Sequence, residues 1–200
     1  MQNIWDKVDQ AIPKYELEAR HIANVKALLN RQELLNVLPK NGIIAELGVN
    51  RGEFSQQILD TCSPKKLHLV DVWETKRYNQ GLRLSVEKKF TEQIESGQIE
   101  LNLGLSTEVV DQFENQYFDW IYIDTNHLYD NTIAELKKYD SKMKPGGIIA
   151  GHDYVIGNWN GMVRYGVIEA VYEFCSTENW EIIYLTMENK ENQSFAIRKI

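Results

Sequence analysis

Cysteine is scarce: Cys62 and Cys175 are the only two among 200 residues. That excludes a disulfide scaffold and a cysteine-based zinc site, and it fits a reducing compartment. Basic residues are also in deficit, with 22 Lys and Arg against 29 Asp and Glu and a net charge of -7. Sequence-independent binding of phosphate backbones draws on a surplus of Lys and Arg, so nucleic acid and anionic membranes are excluded as general partners. No apolar run approaches the ~18 residues of a membrane span, and the opening "MQNIWDKVDQAIPKYELEARH" lacks the basic head and apolar stretch of a secretion signal. The expectation is a cytoplasmic protein. Repeats, low-complexity tracts and Pro/Ser-rich linkers are missing too, so no internal boundary is marked. What is present, 43% hydrophobic and 26% charged residues, suffices for one globular unit that buries roughly 70% of its unfolded surface.

Two rhythms divide the chain. From Tyr15 to about Leu38, the apolar residues Ile22, Val25, Leu28, Leu29, Leu35 and Leu38 recur at three- and four-residue spacing, which predicts an amphipathic helix. Residues 1–38 are therefore read as an N-terminal helical segment ahead of one unit spanning 39–200. Beyond it, "GIIAELGV", "KLHLVDV", "IELNLG", "FDWIYID" and "GGIIAGHD" alternate with amphipathic segments starting near Gly52, Tyr78, Ser106, Tyr129 and Gly161. Strands alternating with helices indicate an α/β fold, a parallel sheet covered on both faces. At the end, "WEIIYLT" and "QSFAIRKI" are joined by the polar "MENKEN", too short for a crossover helix, so they should pair antiparallel. The sum is a doubly wound, mostly parallel, seven-stranded sheet ending in an antiparallel hairpin.

In such a sheet, ligands bind beyond the carboxyl ends of the strands, where strand order reverses. The first strand-to-helix turn, "ELGVNRG", carries Glu46, Gly48 and Gly52. Glycine there permits positive φ and close approach of a ligand, and the N–H groups of the following helix attract negative charge. The spacing is E-x-G-x-x-x-G, without the third glycine of a dinucleotide fingerprint. A zwitterionic amino-acid moiety suits it: helix amides toward its carboxylate, Glu46 toward its ammonium. The turn resembles the first motif of the class I S-adenosylmethionine-dependent methyltransferases, whose fold is Rossmann-like. The resemblance implies that Asp71, ending "LHLVD", binds the ribose, that Trp73 flanks the site or the adenine edge, and that Gly104 and Ser106 of "LGLSTE" lie beside the adenine. Ser106 also reads as an ordinary helix N-cap.

The stretch from Phe118 to Phe174 is more specific, with I-D-x-x-H-x-Y at Ile123 to Tyr129, then K-P-G-G, H-D-Y and G-V-x-x-A-V. It resembles the macrocin-type and other antibiotic sugar O-methyltransferases. Thr125 and Asn126 replace the usual Gly-Asp pair, which removes a carboxylate, and Met143 replaces a leucine. Asp124 and Asp153 end strands expected to be neighbours, about 4.8 Å apart. Two acids that close are relieved by a shared cation, so Asp124 and Asp153, with His152 as a further ligand, are the candidate metal set for Mg2+ or another divalent ion. The alternative is that Asp153 caps the next turn and Asp124 pairs with a base. His127, just past the strand end, is the candidate proton acceptor, and Asp124 the second candidate catalytic residue, also placed at the cofactor. His21 and His68 are read as structural, "KPGG" as a turn, and Trp159 in "GNWNG" as part of a loop over the mouth.

Together these features imply methyl transfer from S-adenosylmethionine to a hydroxyl of a small molecule, a sugar or natural product, with metal assistance. A small-molecule acceptor is the partner expected, and self-association is left open. Two rivals stay in view. A non-catalytic S-adenosylmethionine-binding module would need no converging Asp, Asp and His, and a nicotinamide or flavin oxidoreductase would need the third glycine.

Overall fold

The computed structural model of the chain describes residues 4–158 and 160–200. Its elements begin with α1 (Ile4–Ala11), a 3₁₀ turn (Ala19–His21), β1 (Lys26–Leu28) and α2 (Arg31–Val37). The alternating body follows: β2 (Ile43–Leu47), α3 (Glu53–Cys62), β3 (Lys66–Asp71), α4 (Gln80–Lys89), α5 (Thr91–Glu95), β4 (Ile99–Leu103), α6 (Ser106–Val109), β5 (Phe118–Ile123), α7 (Tyr129–Asp140) and β6 (Met143–Gly151). The chain closes with a two-residue ladder of β7 (Gly157–Asn158) and β8 (Val163–Arg164), then α8 (Val167–Glu178), β9 (Trp180–Thr186) and β10 (Phe195–Lys199).

The main sheet runs β1-β9-β10-β6-β5-β2-β3-β4. Strand β2 pairs in parallel with β3 on one side and β5 on the other, so strand order reverses at β2. The apolar runs of β2, β3 and β5 are buried along nearly their whole length, as expected of strands covered on both faces. One layer packs α7 and α8 on the sheet through Leu136, Tyr139, Ala170, Val171 and Phe174. The other packs α2, α3 and α4 through Leu34, Leu35, Ile58 and Val86. Strand β10 is antiparallel to both β6 and β9, the terminal hairpin expected from the short connection.

The N-terminal segment departs from the reading of its periodicity. Residues 15–38 do not form one helix. Ile22, Val25 and Leu29 are exposed, so the apolar spacing marks no buried face. Asn30 interrupts the segment: its side chain accepts from the Glu33 N–H at 2.9 Å and starts α2 one residue later. Just before it, Lys26–Leu28 pair in parallel with Tyr184–Thr186. The sheet therefore has eight strands rather than seven, and part of the expected helical segment belongs to the sheet. Likewise the helix expected from Gly161 begins at Val167, after the β7–β8 ladder. Its start is tied to α1 by buried Arg164, which bridges Asp9 at 2.7 Å and Glu169. Trp159, expected over the mouth, lies outside the described residues. His21 and His68 are buried; His68 bonds Asn102 at 3.0 Å within a cluster of Phe113, Tyr117 and Phe118.

Candidate functional site

The carboxyl ends of β2, β3, β4 and β5 open on one cavity of about 480 Å³ at the point where strand order reverses. Glu46, Gly48, Asp71, Gly104, Ser106, Asp124 and His127 all line it. Gly48 has φ 89°, and a side chain there would put Cβ 1.9 Å from the Asp124 carbonyl oxygen. The glycine is thus required first for the close crossing of β2 and β5, and only through that for the cavity. Gly52, φ 67°, starts α3, and a Cβ there would stand 2.7 Å from the Phe90 ring. It shapes the loop from behind and is absent from the cavity wall.

Asp71 is the buckle of this loop. Its Oδ2 accepts the N–H groups of Val49 at 2.8 Å and Asn50 at 3.1 Å, and its Oδ1 accepts that of Trp73 at 3.1 Å. A carboxylate has about four acceptor positions, so one remains toward the cavity. Trp73 does not flank the cavity: it is 2% exposed, packs in the core against α3 and α4, and donates Nε1–H to the Asn50 carbonyl at 3.1 Å. Its apolar bulk is better used in the core than at a strand end open to water.

Glu46 is buried under the loop and receives a hydrogen bond from the Ser55 hydroxyl. Burial, with the charges of Asp124 and Asp71 added, pushes its carboxyl up to about 8, against the opposing effects of Ser55 and Arg31. Ser106 is not the N-cap of α6: Leu105 holds that position and makes no side-chain cap. Instead the Ser106 hydroxyl donates to Glu135 of α7, which also accepts from Thr125 at 3.0 Å. Burial lifts Glu135 to about 7. This buried acid clamps the loop after β4 to the loop after β5.

At the far end of the cavity, four side chains converge. Asp124 Oδ2 lies 3.8 Å from His152 Nδ1, and Asp153 Oδ2 lies 3.5 Å from His152 Nδ1 and 3.0 Å from His127 Nδ1. One ligand atom each from Asp124, His152 and Asp153 fall within 4.8 Å of one another. The second Asp153 oxygen accepts from Asn192. Burial opposes ionisation of Asp153, but hydrogen bonds from His127 and His152 hold it well below the usual carboxylate range. Burial dominates at Asp124 and raises it. Among the described residues His152 Nε2 is buried without a hydrogen-bond partner, and the polar contacts of the ring are those of Nδ1 with the two acids. Asp153 and His152 stand behind the cavity wall, whereas Asp124 and His127 are part of it.

Several wall residues carried no signal in the sequence. Arg31 reaches the cavity from α2, stacked over the Phe54 ring at 4.5 Å. Leu105 is half exposed on the wall, and Thr75 and Tyr78 form a tight turn above it, with the Thr75 N–H bonded to the Tyr78 carbonyl at 2.7 Å. Only the N-x-x-E pattern of Asn30 to Glu33 announced that a helix would start at Arg31.

A family profile described as methyltransferase domain matches residues 45–154, just over half of the chain. No curated protein sequence matches the chain significantly. Among solved structures, the pyocyanin biosynthetic protein PhzM superposes with a TM-score of 0.63 at 11% identity, over 84% of this chain and 54% of that one. SMU.1697c of Streptococcus mutans, solved in complex with S-adenosylhomocysteine (SAH), gives 0.59 at 16% identity, covering 84% and 93% of the two chains. The trans-methyltransferase CalH, also with SAH, gives 0.60 at 12% identity, covering 84% and 55%. The chain thus spans little more than half the length of PhzM and CalH. At these identities the likeness establishes a shared fold.

Proposed function

The chain belongs to the methyltransferase-domain family, and from that premise we propose that it transfers a methyl group from S-adenosylmethionine to a hydroxyl of a small molecule, a sugar or natural product. The observation that carries this reading is the cavity at the strand-order reversal, whose wall holds Glu46, Asp71, Asp124 and His127 together. SAH bound to SMU.1697c and to CalH, proteins of the same fold, supports the choice of cofactor.

The residues present fit that cofactor. Asp71 offers an acceptor to ribose hydroxyls, Gly104 and Leu105 offer a flat, partly apolar wall to the adenine, and Glu46 offers a carboxylate to the ammonium. Bound S-adenosylmethionine supplies an electrophilic methyl carbon for an in-line displacement, and the remaining tasks are orientation, exclusion of water and removal of the hydroxyl proton. His127 takes that proton in this reading. Asp153 engages Nδ1, which leaves Nε2 as the basic nitrogen and fixes the ring. Asp124 orients the acceptor hydroxyl on the same wall.

Asp124, Asp153 and His152 also fit a divalent cation, which would supply Lewis acidity to the hydroxyl. A nitrogen ligand in the set favours manganese, iron or zinc over magnesium. The convergence of the two acids on His152 Nδ1 supports this assignment.

The test is calorimetric. SAH should bind and NAD should not, and Asp71→Ala should weaken SAH at least tenfold, because a hydrogen bond to a charged acceptor contributes about 1.5–3 kcal/mol. Methyl transfer from labelled S-adenosylmethionine to a panel of hydroxylated sugars then tests the acceptor class. Binding of NAD in place of SAH would refute the methyltransferase reading.

A further inference from the structure

Arg31 has no place in the site as read so far, yet its guanidinium stands on the cavity wall with a side chain only 17% exposed. Four contacts hold it there, one of them a hydrogen bond with the buried Tyr122 hydroxyl. It lies over the Phe54 ring, its Nη2 pairs with Glu191 at 3.1 Å, and its backbone N–H donates to the Glu188 carboxylate at 2.5 Å. The side chain is therefore set in position by Phe54, Tyr122 and Glu191, and its backbone by Glu188 of the β9–β10 connection. Its nearest acid inside the cavity, Asp124, is 3.9 Å away, a loose pairing that leaves guanidinium N–H groups for another acceptor.

Most of the loop amides in the anion-binding device expected of the glycine turn are meanwhile taken, and only the uncapped first amides of α3 are left to it. The N–H groups of Val49 and Asn50 go to Asp71, that of Gly48 to the Val70 carbonyl and that of Gly52 to the Val49 carbonyl. The first residue of α3, Glu53, brings a carboxylate of its own to the helix start and to the cavity wall. An amino-acid moiety lying between Glu46 and Asp124 would meet acids suited to its ammonium, while for its carboxylate the amides of Gly48, Val49, Asn50 and Gly52 are already engaged and the start of α3 carries the Glu53 carboxylate. The other cation on the wall, Arg51, is solvent-exposed on the loop itself.

We infer that Arg31 is the carboxylate anchor of the site, holding the α-carboxylate at the methionine end of the cofactor from the N-terminal segment. This rests on the cofactor reading above. A planar guanidinium stacked on an aromatic ring presents its N–H fork in a fixed direction, which matches a carboxylate two oxygens at a time. The ligand's ammonium and carboxylate are then divided between groups from two elements, Glu46 on β2 and Arg31 on α2, which fixes the orientation of the amino-acid part.

The experiment compares two probes on the wild-type chain, Arg31→Gln and Arg31→Lys. One probe is SAH; the other is its decarboxylated analogue, S-adenosyl-3-thiopropylamine, which keeps the adenosine and the amine. Arg31→Gln should bind SAH about tenfold or more weakly, the size of a lost charge-assisted hydrogen bond, and bind the decarboxylated probe within about twofold of wild type, a change at the level of surface substitutions. Arg31→Lys should recover part of the SAH affinity, since it keeps the charge without the fork. Unchanged SAH affinity in Arg31→Gln, or an equal loss for both probes, would overturn the assignment while leaving the cofactor reading intact. Failure of the wild-type chain to bind SAH would overturn the cofactor reading and this assignment with it.

Discussion

Glu46 should couple cofactor binding to proton release. Its carboxyl is buried under the glycine turn and pushed up to about 8, so at pH 7 roughly nine in ten molecules carry it protonated. A ligand ammonium beside it favours the ionised form and draws the pKa down. Binding at pH 7 then releases close to one proton, and the apparent affinity for SAH should rise by up to about tenfold per pH unit between pH 6 and 8, flattening above 8. The cost of that ionisation at pH 7 is on the order of 1 kcal/mol. Calorimetry at pH 7 in two buffers of different ionisation enthalpy measures the proton directly. Glu46→Gln should bind more weakly at pH 8 and without proton exchange. The same group has a signature in folding stability. A carboxyl raised from 4.5 to about 8 by folding contributes stability that is fully present below pH 4.5 and lost as pH rises through 8, up to about 5 kcal/mol. Glu46→Gln should therefore flatten the fall in unfolding midpoint over that window. A wild-type affinity that does not vary with pH, with no proton released, would refute the reasoning and leave Glu46 a neutral buried donor.

Three further outcomes are expected. His127→Ala should slow methyl transfer about 100- to 10,000-fold with SAH affinity unchanged, as loss of a general base does; normal turnover would return His127 to a packing role against Tyr165, whose ring centre is 4.9 Å away. Titration with manganese and magnesium, with and without SAH, should show binding that Asp153→Asn abolishes; equal binding by that variant, or transfer undiminished by chelator, would strike the metal from the mechanism. Gly48→Ala should unfold at clearly lower urea concentration and bind no SAH, because its Cβ would stand 1.9 Å from the Asp124 carbonyl oxygen at φ 89°; a wild-type midpoint would show that the β2–β5 crossing yields at little cost.

Much of the body was legible because its signals are local. Apolar runs without alternation, glycine at Gly48 and acids at strand ends sufficed to predict a doubly wound sheet with its crevice after β2, and to name Glu46, Asp71, Asp124 and His127, all of which line one cavity. The N-terminal segment misled because periodicity cannot say whether an apolar face is buried: Val25 and Leu29 are exposed, and Lys26–Leu28 become a strand only because the edge of β9 is there to pair with. Trp73 misled for the converse reason. Its place after Asp71 is read from the chain, but whether an indole faces a ligand or the core depends on what packs beside it, here the helices of the α3 layer. Residue types at strand ends determine what chemistry is available. Only the packed structure decides which groups meet: Ser106 with Glu135, His127 with Asp153, and Arg31 with a cavity whose first strand begins twelve residues further along the chain. Those meetings join residues far apart in sequence, and their closeness follows from strand order and helix packing, which no local pattern encodes.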